Sequence, residues 1–271
     1  VDRYAVFGNP IGHSKSPLIH NQFAAALGEK LQYDAILAPL DGFADNWHSF
    51  VAAGGKGGNV TVPFKEAAYQ LAETLSDRAK QAGAVNTLYI DSEGRLCGDN
   101  TDGIGLVADL HRLGVNLQGI TVLLLGAGGA SRGAIGPLLD TGVKQLVLAN
   151  RTVSKAQAIT ANFDPRVSAC GYADIPLQPY QLVINATSSG LSGERPLIAA
   201  QHLQHCQLAY DMLYGGQPTP FLQWAKEQGV PLQADGLGML VAQAAEAFYI
   251  WRGKRPDIEA VLTLLQQQLN Q

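Results

Sequence analysis

The sequence predicts an α/β protein of two domains: an N-terminal α/β domain completed by C-terminal helices, with a second α/β domain inserted between them. Three observations carry this expectation. Over the first hundred residues, short apolar runs alternate with amphipathic stretches of helical period, the pattern of βαβ units. At Thr121-Val122-Leu123-Leu124-Leu125-Gly126-Ala127-Gly128-Gly129-Ala130-Ser131 an apolar strand runs straight into a glycine-rich turn and a second series of strands and helices begins. Beyond residue 236 the chain closes with two helices whose apolar stripes have no strand of their own to cover. Residues 1–101 plus 237–271 are therefore expected to form one domain and residues 102–236 the other.

Taken in order, Tyr4 to Gly8 reads as a strand, Pro17 to Leu27 as a helix and Gln32 to Leu37 as a strand. Phe43 to Ala53 has helical spacing, and Gly57 to Val62 reads as a strand stopped by Pro63, since proline cannot donate to a ladder. A helix follows to about Ala72 and another spans Ser76 to Gln81. Val85 to Asp91 and Arg95 to Cys97 are strands around the Ser92-Glu93-Gly94 turn, and a helix from Gly103 to Leu113 leads into the inserted domain. There the clearest strands are Thr121 to Leu125, Gln145 to Ala149, Leu182 to Asn185 and Leu208 to Tyr210. The closing helices carry Met239, Val241, Ala244, Ala245 and Phe248, then Ile258, Val261, Leu262, Leu265 and Leu269, each set spaced for one buried face.

A strand that enters a glycine turn and a helix is how a chain cradles a pyrophosphate. Gly126 and Gly128 allow a tight turn and close approach of backbone, and the phosphate charge then sits at the positive end of the helix beginning near Gly129. Ser131 stands at the third small position, usually Gly or Ala. The next strand ends in Asn150-Arg151-Thr152, where an NAD-binding chain carries an acid for the ribose hydroxyls; here there is none, and Arg151 and Lys155 suit a ribose 2′-phosphate. NADP is the expected cofactor.

With 46% hydrophobic residues and a net charge of −4, the chain has core-forming capacity and no basic field for nucleic acid. Cys97, Cys170 and Cys206 show neither disulfide nor zinc spacing, and no run approaches the roughly 18–20 apolar residues of a membrane span. No leader segment is read at the start, so a cytoplasmic protein acting on a small molecule is expected, as a monomer or homodimer. His202 and His205 have no acidic or thiol partner nearby in sequence, and no metal is expected.

Three polar segments stand where a plain α/β layer needs only a loop. In Gly8-Asn9-Pro10-Ile11-Gly12-His13-Ser14-Lys15-Ser16-Pro17, Ser14 and Ser16 put hydroxyls beside a helix N-terminus, a pocket for a carboxylate, with Ser16-Pro17 also readable as a cap followed by the first helical residue. In Asn59-Val60-Thr61-Val62-Pro63-Phe64-Lys65, alternation puts Asn59 and Thr61 on one face and Lys65 in the first turn of a helix. The helix dipole disfavours a cation there, which suits a proton-exchanging amine. In Gly98-Asp99-Asn100-Thr101-Asp102-Gly103, Asp102 either caps the following helix or pairs with Lys65, and Asn86 is expected to face the same site.

Assembled, these segments closely resemble the shikimate dehydrogenases of the aromatic amino-acid pathway, whose motifs G-N-P-I-G-H-S-K-S-P, G-G-N-V-T-V-P-F-K, A-G-A-V-N-T, G-D-N-T-D-G, G-A-G-G-A-S, N-R-T, N-A-T-S-S-G and D-G-L-G-M-L-V-A-Q-A-A appear in order. The resemblance implies a substrate domain and a central Rossmann-type NADP domain facing one cleft, and an enzyme that reversibly reduces 3-dehydroshikimate to shikimate. It implies Lys65 and Asp102 as the catalytic pair. It also implies Ser14, Ser16 and Tyr214 around the carboxylate, and Thr61, Asn86 and Gln243 on the ring hydroxyls. Cofactor contacts carried over by motif are Gly126, Ala127, Gly128, Gly129, Ala130, Asn150, Arg151, Thr152, Lys155, Thr187, Ser188, Met212, Gly236 and Met239. Asp77 aligns with a cofactor-proximal acid. Relatives often carry Arg at the place of Lys155, so selectivity for NADP rests mainly on Arg151. The alternatives are a quinate/shikimate dehydrogenase using NAD, which should carry an acid near Asn150, and a non-catalytic NADP-binding regulator, which would need neither Lys65 nor Asp102.

Overall fold

The computed structural model describes residues 1–271, which divide into two compact units. The first comprises Val1–Gly105 and Val241–Leu264, the second Leu106–Leu240 and Leu265–Gln271. The divisions fall inside helices, so the last residues of the chain join the second unit and not the first. No helix is long and apolar enough to cross a membrane.

The first unit holds β1 (Asp2–Gly8), α1 (Ser16–Leu27), β2 (Leu31–Leu37), α2 (Phe43–Ala52), β3 (Gly55–Val60), α3 (Lys65–Leu71), β4 (Thr74–Leu75), α4 (Asp77–Ala82), β5 (Thr87–Ile90) and β6 (Leu96–Asp99). Its sheet runs in the order β2-β1-β3-β5-β6-β4. β1 pairs in parallel with β2 and β3, whereas β5 is antiparallel to both β3 and β6. The reversal at β5 has a direct consequence for function. It brings the start of β5, at Thr87, level with Asn59 near the end of β3 and with Asp99 at the end of β6. Three polar segments distant in sequence therefore leave one edge of the sheet.

Two details differ from the sequence expectation. β3 stops at Val60, because the Thr61 carbonyl accepts from the Phe64 amide and the chain turns around Val62-Pro63. Thr61 thus stands in a turn and does not continue the alternation begun by Asn59. At α1, Ser16 is the first helical residue and not the cap, since its amide is taken by the Ser14 hydroxyl oxygen at 3.3 Å.

α5 (Asp102–Arg112) leads into the second unit, which holds β7 (Thr121–Leu125), α6 (Gly129–Asp140), β8 (Gln145–Ala149), α7 (Val153–Thr160), β9 (Val167–Cys170), β10 (Leu182–Asn185), β11 (Leu208–Asp211), α8 (Pro220–Glu227) and β12 (Leu232–Ala234). All neighbours in its six-stranded sheet, ordered β12-β11-β10-β7-β8-β9, are parallel. Both faces are buried: Val122 and Leu124 pack into one apolar cluster, Leu123 and Leu125 into another. The near-continuous apolar strands reflect this double burial. Finally α9 (Leu237–Arg252) and α10 (Glu259–Leu269) close the chain. Within the first unit Phe248 and Trp251 of α9 pack against His20 of α1.

Candidate active site

Lys65 begins α3 and meets Asp102, the first residue of α5, with 2.6 Å between Nζ and Oδ2. Both side chains are partly exposed, at 32% and 25%, as a pair must be if it is to reach a ligand. Just before Asp102, Asn100 Oδ1 accepts the Asp102 amide at 3.0 Å. The carboxylate also offsets the unfavourable position of the ammonium at a helix start. The other oxygen, Oδ1, accepts from Asn86 Nδ2 at 3.0 Å, and the same amide donates to Thr101 Oγ1 at 2.9 Å. Gln243 of α9 joins through its Oε1, which accepts from Thr101 Oγ1 at 3.3 Å.

The carboxylate-pocket candidates lie in the same unit. Ser14 is half-buried and Ser16 buried, at the start of α1. Thr61 is half-buried, and its amide donates to the Phe7 carbonyl at the end of β1, next to the segment bearing the serines. Asp77 stands exposed in the first turn of α4, also in the first unit, whereas the other cofactor candidates are in the second.

In the second unit the strand ends line up. Leu125 pairs with Ala149 and Asn185, and Asn185 with Asp211, so the glycine turn, the 150–155 run, the 186–189 loop and the segment after Asp211 all leave the carboxyl edge of one parallel sheet. That edge is where open α/β sheets bind ligands. Gly126 adopts φ +103°, and a β-carbon there would press on Thr187 and the Ala186 backbone. Gly128 and Gly129 instead face open space, and no side chain caps α6. The first amides of a 12-residue helix are thus left for an anion. Ser131 is fully buried and its hydroxyl donates to the Gly126 carbonyl, so serine at the third small position locks the turn. Arg151 follows the end of β8 and Lys155 stands in the first turn of α7, both as exposed side chains, and Asn150 braces the run by donating to the Thr152 carbonyl at 2.9 Å.

The loops after β10 and β11 share one anchor. Asp211, buried completely, accepts from Asn185 Nδ2 at 3.1 Å, Thr219 Oγ1 at 2.7 Å and the Leu213 amide at 3.0 Å. Burial pushes its carboxyl above the ordinary range, with these donors opposing. Asn185 Oδ1 in turn accepts from the Thr187 amide and hydroxyl, at 3.0 and 2.7 Å. Gly236 sits against the Met212 backbone so closely that a β-carbon would overlap the Met212 carbonyl oxygen. Tyr214, partly exposed, has its phenol raised chiefly by burial, with Asp235 adding to the effect.

This arrangement meets the family signature along most of the chain. Residues 6–88 match the model of the shikimate dehydrogenase substrate binding domain, residues 109–212 that of shikimate/quinate 5-dehydrogenase, and residues 236–266 that of the shikimate 5′-dehydrogenase C-terminal domain. The chain belongs to the shikimate dehydrogenase family. It is 52% identical over 272 residues to the shikimate dehydrogenase (NADP(+)) of Cellvibrio japonicus, covering 100% of this chain and 99% of that one. Among solved structures, an Ael1 enzyme from Pseudomonas putida superposes with a TM-score of 0.95 at 48% identity over 98% of both chains. The shikimate 5-dehydrogenase of Thermus thermophilus, solved in complex with NADP(H) and shikimate, superposes with a TM-score of 0.87 at 34% identity over 99% of this chain and 100% of that one.

Within this shikimate dehydrogenase framework the structure brings Lys65, Asp102, Asn86 and Gln243 together in one unit and the glycine turn, Thr187 and Met212 onto one sheet edge in the other. Sequence reading missed the residues behind them: Tyr33, Thr87, Asn185 as a brace, Asp211 and Thr219. A signal existed for Asn185 and Asp211, each a polar residue closing an otherwise apolar strand. Tyr33 and Thr87 carry no such mark, since both residue types are ordinary in strands.

Proposed function

We propose that this chain catalyses the reversible, NADP-dependent reduction of 3-dehydroshikimate to shikimate, the first unit binding the ring acid and the second the cofactor. The observation that carries the reading is the Lys65–Asp102 pair, 2.6 Å apart, with Asn86 bound to the same carboxylate, in a chain of this family. The NADP-linked relative and the NADP(H)–shikimate complex support the same cofactor and substrate.

The residues fit the cofactor. The uncapped start of α6, with open space at Gly128 and Gly129, suits the pyrophosphate, and Arg151 with Lys155 suits the 2′-phosphate. When bound, NADPH supplies the hydride. The chain's own task is to manage the oxygen on which charge grows. Lys65 Nζ hands that oxygen a proton in reduction and takes it back in oxidation. Asp102 fixes the ammonium and accepts from a ring hydroxyl, while Asn86, Thr61 and Gln243 orient the ring. Ser14 and Ser16 receive the carboxylate. The absence of an acid at Ala149-Asn150-Arg151 argues against an NAD-linked quinate enzyme, and three free thiols support a reducing cytoplasm.

The test is an absorbance assay at the reduced-nicotinamide band, crossing shikimate and quinate with NADP and NAD. Fast turnover only for shikimate with NADP is expected. Preference for NAD or for quinate would overturn the assignment.

A further inference from the structure

Behind the catalytic pair, Tyr33, Asn59 and Thr87, buried side chains with no role above, form a line that leads to Asn86. Tyr33 of β2 donates its hydroxyl to Asn59 Oδ1 at 2.7 Å. Asn59 Nδ2 donates to the Asn86 carbonyl at 3.1 Å and to Thr87 Oγ1 at 3.2 Å. Thr87 Oγ1 donates to Asn86 Oδ1 at 2.8 Å. Asn86 Nδ2 then donates to Asp102. All four links before Asp102 are buried, Tyr33 and Thr87 to 1% and 0% exposure.

The direction of this line is fixed by groups that cannot reverse. Asn59 must turn its nitrogen to the Asn86 carbonyl, which only accepts. Asn86 must turn its oxygen to the Thr101 amide, which only donates, at 2.9 Å. Thr87, standing between an amide nitrogen and an amide oxygen, has to accept from the first and donate to the second. Every hydrogen therefore points from Tyr33 towards Asp102.

The geometry points to Tyr33 and Thr87 as positioning residues, which through Asn59 hold the Asn86 carboxamide with its nitrogen towards Asp102 and the substrate. Thr87 gives Asn86 Oδ1 its second donor, and Tyr33 keeps Asn59 from rotating and withdrawing the donor that Thr87 receives. His20 stacks flat on the Tyr33 ring and confines it, and the Tyr33 hydroxyl also stands beside the Ser16 side chain. The line thus begins at the carboxylate pocket and ends at the catalytic pair, so both ends of the substrate are read by one connected network. Networks of this kind gain from full satisfaction and lose disproportionately when one member fails.

This inference rests on the proposed function, and its test separates the two. Tyr33→Phe and Thr87→Val keep shape and remove one hydroxyl each; Thr87→Ser restores a hydroxyl. For shikimate oxidation with NADP, the first two are expected to lower kcat about tenfold, the scale of a lost buried hydrogen bond, with KM for shikimate within about twofold. Thr87→Ser retains activity, and neither Tyr33→Phe nor Thr87→Val lowers kcat further in an Asn86→Ala background. Independently of turnover, the side-chain amide signals of Asn86 in asparagine-labelled protein shift in Tyr33→Phe and Thr87→Val and return in Thr87→Ser. Parent-like kcat in both variants, or an equal loss in the Asn86→Ala background, overturns the relay. If the parent itself leaves shikimate unoxidised, the functional assignment fails and the amide signals alone decide the relay, unshifted signals refuting it.

Discussion

The imidazole of His20 lies flat against the phenol ring of Tyr33, with ring centroids 4.3 Å apart and planes within 10°. Phe23, Phe248 and Trp251 complete the enclosure, and neither ring nitrogen has a hydrogen-bond partner. Burial pulls the His20 pKa down to about 3, opposed only slightly by the neighbouring Asn59 side chain.

A neutral buried histidine makes stability depend on pH. The folded imidazole protonates only near pH 3, while the unfolded one does so near its ordinary value of 6.5. The unfolded state therefore binds the extra proton as pH falls through that window, and stability falls with it, by up to about 1.4 kcal/mol per pH unit. Urea titrations at pH 7 and pH 5 should show a smaller difference in His20→Phe than in the parent, by about 2 kcal/mol. An identical difference in both proteins would show that His20 is charged in the folded state.

For the catalytic pair, Lys65→Ala should lower kcat by about 10²–10⁴-fold with a far smaller change in KM, because a proton donor acts in the transition state. Asp102→Asn should also lower kcat, and the double variant should be less impaired than the product of the two losses. Full turnover by folded Lys65→Ala, with only KM raised, would leave Lys65 as a binding residue.

Cofactor choice should depend on Arg151. Its guanidinium is exposed, so the contact lies at the lower end for a charge-assisted bond, and Arg151→Ala should raise KM for NADP about tenfold while barely changing that for NAD. Equal losses with both cofactors would remove Arg151 from phosphate recognition.

The carboxylate of Asp211 should matter to both stability and cofactor binding. Asp211→Ala leaves the Asn185 amide, the Thr219 hydroxyl and the Leu213 amide without their acceptor, at a cost of about 3 kcal/mol or more in thermal unfolding. Because Asn185 in turn holds Thr187, KM for NADP should rise in Asp211→Ala. Unchanged KM in a folded variant would show that the loops hold their shape without this anchor.

Much of this was legible in the residues alone. Strand–turn–helix patterning located Gly126 to Ser131, because an apolar run and a glycine turn are local signals. The Lys65–Asp102 pairing was also anticipated, through motifs and not through spacing, since 37 residues separate them. What local reading could not supply was the antiparallel placement of β5, a pairing between segments whose partners lie elsewhere in the chain. Tyr33 and Thr87 become polar links only once that strand is seated beside β3.

The discontinuity of the first unit bears on how the protein is made. Residues 241–264 belong to the same unit as residues 1–105, yet a ribosome delivers them only after the entire parallel sheet of the second unit. Until α9 emerges, Tyr4 lacks the Trp251 ring that stacks on it, and His20 and Phe23 lack Phe248. During synthesis the nascent chain therefore carries an uncovered aromatic face, a period in which chaperone capture or aggregation competes with completion of the amino-terminal unit.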